Sequence, residues 1–234
     1  MLAPSSCRRA ALVSIVIAAL GLLFGAPARA LDAAAAQATV ETLHDGLSHI
    51  MANGPELGLP GRAEYIGAVV DRTYEMRGFV ARAIGTGTFG GFSEAGQAEV
   101  VEAYRQLVVA NYACSFREPS PISFTTEEVS AGPGGTLVVR TALTRRTGDQ
   151  IALSYVIEGT QTGEGRIADI LYDGVSETAR RRSEFGSLAA QGPEALAQAI
   201  RSKAAQIEAE CEPQAPAEPA PEPGPAPDTH FGSD

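Results

Sequence analysis

The chain has no tryptophan, only three histidines (His44, His49 and His230) and only three cysteines in 234 residues. Each scarcity excludes something. On a helix, His44 and His49 stand five positions apart, so roughly 140° separates them and they cannot share a metal as an i, i+4 pair does. No acid/base pair with a partner serine, cysteine or metal ligand can be assembled from what is present, and neither a metal site nor a cofactor is expected. Bases are also short, 18 against 28 acids for a net charge of -10, and phosphate backbones would repel such a chain. Nucleic acid is therefore not an expected partner. Long apolar runs are missing too: the longest, Ala10 to Phe24, is 15 residues, short of the roughly 20 a spanning helix needs.

What is present suits one globular domain between two atypical ends. Arg8 and Arg9, the apolar run and the small-x-small site Ala28-Arg29-Ala30 have the three-part grammar of a secretory signal over residues 1–30, with cleavage before Leu31. A retained membrane anchor is the competing reading, and the shortness of the run argues against it. The mature chain then counts 15 bases against 28 acids, a net of -13. At the other end, residues 212–234 turn to Pro, Ala, Glu and Gly with five acids and no base, too poor in apolar surface to order themselves. The domain spans 31–211. Loss of Cys7 with the signal leaves Cys114 and Cys211, which an oxidising compartment can bridge across 97 residues or leave as two separate thiols.

Apolar residues at helical spacing predict helices over Asp32 to Asn53, Arg62 to Tyr74, Arg77 to Ile84 and Ser93 to Cys114, with Asp32 and Ser93 as caps. The glycine-rich stretch from Gly85 to Gly91 reads as a flexible joint. The period then changes to two: Ile122 to Val129, Leu137 to Thr144, Ile151 to Glu158 and Arg166 to Tyr172 predict four strands whose short turns make neighbours antiparallel. Leu137, Val139, Thr141 and Leu143 share one face with Ile151, Leu153, Tyr155 and Ile157, and polar residues occupy the other. Helices return over Ser176 to Leu188 and Pro193 to Glu210. The expected class is α+β, a four-stranded antiparallel sheet covered on one face by helices.

Several motifs carry little. Gly85-Thr86-Gly87-Thr88-Phe89-Gly90 matches a dinucleotide fingerprint, but a helix precedes it and the sheet is a meander instead of the parallel one such a site needs. Gly91-Phe92-Ser93-Glu94-Ala95 approaches a hydrolase elbow, yet no strand precedes it and its fifth residue is Ala, so Ser93 reads as a helix cap. Arg180, Arg181 and Arg182 are consecutive and spread around a helix; a solvated face and a docking site for an acidic or phosphate group are both open.

The run Asp169-Ile170-Leu171-Tyr172-Asp173-Gly174-Val175-Ser176, continuing through Arg182, Phe185, Leu188, Gly192, Leu196, Ile200 and Lys203, resembles the carboxy-terminal signature of the MlaC, or toluene-tolerance, family of periplasmic lipid-transfer proteins. Phe79-x-Ala81-Arg82-x-x-Gly85 and Tyr104-Arg105-x-Leu107 with Tyr112 resemble its central helices, although Tyr104 stands where the family usually has Phe. The run Arg181 to Phe185 is more similar to the hopanoid-associated branch, HpnM, than to the phospholipid branch. The resemblance implies a cystatin-like or nuclear-transport-factor-like fold holding lipid, a phospholipid or a hopanoid, between sheet and helices. It also implies a monomeric periplasmic carrier, an inner-membrane ABC transporter complex with a lipid-binding subunit, and an outer-membrane lipoprotein complex as partners.

An acyl-chain pocket needs apolar walls. The expected lipid-contacting residues are Val69, Phe79 and Ile84 from the early helices and Leu107, Val108 and Tyr112 from the long central helix. The sheet and the turn after it would add Val139, Leu153, Tyr155, Ile157, Ile170 and Val175. The same residues could form a closed core. Two rival readings are an enzyme using a cavity of the same architecture, for which Asp169 is the plausible inward acid, and a periplasmic adaptor without a ligand.

Overall fold

A computed structural model describes residues 31–211; the signal segment and the acidic tail lie outside the described residues. Asp32 caps α1 (Ala33–Ala52) by accepting a hydrogen bond from the Ala35 amide at 2.7 Å. The next helix, α2 (Gly54–Thr73), starts eight residues before the expected Arg62. It is broken at Gly58 (φ 60°), and the turn that precedes the break is held by Arg62, which donates to the carbonyls of Gly54 and Ala113 at 2.8 Å each. Gly54 is required there, because a Cβ would collide with the Arg117 carbonyl oxygen.

The third helix, α3 (Met76–Ile84), ends at Gly85, whose φ of 96° turns the chain into α4 (Thr86–Gly91). The glycine-rich stretch is thus a short helix and not an open joint. Burial of Phe89, with the Arg77 guanidinium 5.2 Å from its ring, offsets what the glycines cost in order. Ser93 caps α5 (Glu94–Ser115) through the Gly96 amide.

Five strands follow in the order β1-β2-β3-β4-β5, all antiparallel: β1 (Ser123–Ala131), β2 (Leu137–Thr144), β3 (Gln150–Gly159), β4 (Gly165–Tyr172) and the two-residue β5 (Val175–Ser176). The fifth strand was not anticipated; it forms because Asp173 (φ 48°) and Gly174 (φ 83°) make a two-residue hairpin turn. Helices α6 (Glu177–Ala189) and α7 (Pro193–Cys211) complete the chain. The α+β class and the meander are as expected.

The register puts Phe124, Leu143, Ile151, Leu153, Tyr155, Ile170 and Tyr172 on the sheet face that meets the helices. Bulges at Thr126/Glu128 and Val156/Ile157 increase the local twist. Against this face pack α1, α3 and α5, with α7 laid along the back of α5. A disulfide joins Cys114 to Cys211, with Cα atoms 5.4 Å apart, and ties the end of α5 to the end of α7. None of the described helices is long and apolar enough to cross a membrane.

Candidate functional site

Between the sheet and the helices, packing is incomplete at the end of the sheet where β2 turns into β3 and β4 into β5. A cavity of about 570 Å³ lies there, lined mainly by apolar side chains. Its floor is the sheet pairs Phe124/Leu143, Leu153/Tyr172 and Tyr155/Ile170. Its roof is Leu47 from α1, Phe79 from α3 and, from α5, Tyr104, Val108, Tyr112 and Phe116. Val175, the most exposed large apolar residue of the described chain, and half-exposed Tyr172 place the mouth at the β4–β5 turn.

Of the residues expected to touch a lipid, the cavity wall includes Phe79, Val108, Tyr112, Leu153, Tyr155, Ile170 and Val175. Val69, Ile84, Leu107, Val139 and Ile157 are fully packed in the core and off the wall. Register explains one of them: Ile157, paired with Leu137, lies one row further from the open end than the floor pair Tyr155/Ile170, whereas Val139 shares that row but sits on β2, which packs against α1. Leu107, flanked on α5 by the wall residues Tyr104, Val108 and Asn111, is fully buried in the core and does not line the cavity. Leu47, Tyr74, Phe116, Phe124 and Tyr172 line the wall and were not foreseen as site residues. Phe124 and Tyr172 continue the period-two face, so alternation could have found them. Tyr74, four residues after Val70 and eight after Ile66, continues the helical period to the end of the predicted stretch, so its burial was legible but its place on the cavity wall was not.

Polar groups at the mouth are paired with one another. The Arg180 guanidinium grips Glu177 through two bonds of 2.8 Å, and buried Arg181 bridges Glu177 at 2.7 Å and Glu184 at 2.8 Å. Burial pulls the Glu177 carboxyl up, but the hydrogen bond from Arg180 and the charge of Arg181 hold it below the usual range. Arg182 turns away to the backbone carbonyl of Arg82. The three arginines thus go three ways, and only Arg180 is left at the mouth in contact with solvent.

Asp169 is off the wall altogether. Its carboxylate accepts bonds from the Ile170 and Thr178 amides at 2.8 and 3.1 Å and from the Ser176 and Thr178 hydroxyls at 2.6 and 3.0 Å, which fastens the start of α6 to β4. A carboxylate so engaged is a structural clasp and not an acid facing a substrate. His44 stacks on Phe124 with ring centroids 4.0 Å apart and bonds the Tyr155 hydroxyl at 2.9 Å; burial lowers its pKa to about 4. His49 stacks on Tyr65. Among the described residues no group of three or more His, Cys, Asp or Glu side chains could hold a metal ion.

A helix-covered antiparallel sheet enclosing a mainly apolar cavity is an architecture with room for an apolar ligand. The chain belongs to the MlaC family: the family model described as "MlaC protein" matches residues 41–202. Among solved structures it is similar to a phospholipid-binding protein from Ralstonia solanacearum determined in complex with a phospholipid, with 20% identity over 74% of this chain and 98% of that one and a TM-score of 0.61. That likeness establishes the shared fold. No curated protein matches the chain.

Proposed function

We propose that this protein is a periplasmic lipid carrier that takes acyl chains, or a hopanoid, into the cavity between sheet and helices and moves the lipid between outer and inner membrane. The observation that carries the reading is the apolar cavity with its mouth at the β4–β5 turn. At about 570 Å³ the cavity falls within the size range of small-molecule sites, roughly 300 to 1,000 Å³, room enough for an acyl chain. Each methylene buried there gains about 0.8 kcal/mol over water, and a bilayer offers the same. Near-equality of the two environments is what a carrier needs, since a much deeper well would trap its cargo.

Family membership and a fold shared with a protein solved with phospholipid support this reading. Handing the lipid on calls for docking partners, an inner-membrane ABC transporter complex with a lipid-binding subunit and an outer-membrane lipoprotein complex, with this protein acting as a monomer. Mass spectrometry of lipid co-purified with the mature chain from the periplasm tests it. Acyl lipid or hopanoid at close to one molecule per chain is expected. Protein free of lipid, and unable to extract any from vesicles, would overturn the reading.

A further inference from the structure

Besides the charged mouth and the side chains of Asn111 and Ser115, the cavity wall carries a cluster of tyrosines. There the Tyr74 hydroxyl, brought by the turn between α2 and α3, meets the Tyr112 hydroxyl of α5 at 2.5 Å. Tyr74 is 6% exposed. Two hydroxyls carry two protons; one lies between the oxygens and one is left over. Including Tyr172, whose hydroxyl interacts with that of Tyr112, does not change the count, because an open chain of hydroxyls always has one more proton than it has links. His44 does not take the leftover proton, since its Nε2 is engaged by Tyr155.

Water entering the cavity can take that proton, but a lipid that displaces the water must supply an acceptor of its own or leave the donor unpaired, so the pair is a site for an acceptor carried by the ligand. Its depth narrows the ligand. Tyr112 lies beside Tyr172, which is half exposed at the mouth, while Tyr74 is buried and Phe79, Leu153 and Ile170 extend the wall with hydrocarbon alone. A lipid lying tail inward and headgroup outward carries its ester linkages at that boundary.

We propose that the Tyr74–Tyr112 hydroxyl pair anchors the cargo by donating its free proton to an ester oxygen of a bound lipid, so that the protein distinguishes an ester-linked acyl chain from an ether-linked chain or a plain ring hydrocarbon. This rests on the carrier reading. A wall without the pair would sort lipids by size alone; with it, one hydrogen bond is made or lost at a fixed depth.

The test uses the delipidated mature protein and vesicles containing equal amounts of diacyl phosphatidylglycerol and its dialkyl ether counterpart, with the captured lipids counted by mass spectrometry. The wild type should favour the diester about fivefold, the worth of one neutral hydrogen bond. Tyr74→Phe with Tyr112→Phe, and the triple variant that adds Tyr172→Phe, should each bring the ratio close to one while still capturing lipid, a change that a merely structural role would not produce, whereas one substitution in the pair leaves a free proton and most of the preference. Equal capture of both lipids by the wild type would overturn the anchor and leave the carrier reading intact. Capture of neither would overturn both. Should either variant fail to fold by circular dichroism, the wild-type ratio decides alone.

Discussion

His44 is a group whose titration folding moves within the range of ordinary pH. Stacked on Phe124 and bonded to the Tyr155 hydroxyl beneath the cavity, it has its pKa lowered by burial to about 4, from 6.5 in the unfolded chain. The unfolded state therefore binds more protons between these values, and stability falls as pH drops from about 6.5 to about 4. The loss should amount to about 3 kcal/mol in all. Urea titrations across that range should show it, and His44→Gln, which cannot take up a proton, should flatten the profile. Glu177, Glu184 and Asp71, whose carboxyls are held low by arginine or lysine partners, lose their contributions as pH falls below their ordinary values of 4.5 for Glu and 3.8 for Asp, so the drop between pH 6.5 and 4.5 reports His44. A profile unchanged by the substitution would show that His44 is not the titrating group.

Among the elements, α5 does most of the organising. One face supplies the cavity roof, another packs against α7, and its last turn takes both Arg62 from α2 and the bridge to Cys211. The bridge closes 97 residues containing the whole sheet, so reducing it frees the unfolded chain by about 4 to 5 kcal/mol in the loop-entropy account. Thermal unfolding with and without reductant should differ accordingly, and a Cys114→Ala, Cys211→Ala double variant should match the reduced wild type and be insensitive to reductant. Unfolding equally resistant in both forms would mean that α5·α7 packing alone holds the end of the domain. Ordering of α4 follows the same logic of burial over propensity: four glycines in seven residues predict looseness, but Phe89 seats the turn in the core.

For the whole molecule, the property to be explained is that a well-packed core stops short of filling the space under its helices. Sheet and helices close on each other at the α1 end, where Val139, Ile157 and Ile167 are fully buried, and diverge toward the β4–β5 turn. Val108 is half-buried on the diverging wall, so Val108→Asp places a carboxylate where acyl chain would lie at less cost to the fold than a change in the closed core. The expected outcome is loss of co-purified lipid with the circular dichroism spectrum unchanged. Lipid retained at the wild-type level would place the cargo elsewhere than in this cavity.

Local pattern determined a large part of this protein. The helical period marked α1, α3, α5 and both final helices, and alternation marked four strands and their apolar face. Two cysteines left after the signal made a bridge possible, and the run Asp169 to Lys203 pointed to the family. These are readable because periodicity and short-range turn chemistry act among neighbours along the chain. What only the tertiary structure decided is where that apolar face is filled and where it is empty. Periodicity assigns Val139 and Leu153 to the same face, yet one is packed solid and the other borders a void, because a void arises from the angle between elements far apart in sequence. The same holds for the meeting of Tyr74 with Tyr112, 38 positions apart, and for Asp169, whose sequence context suited an acid facing a cavity until the fold closed four hydrogen bonds around it.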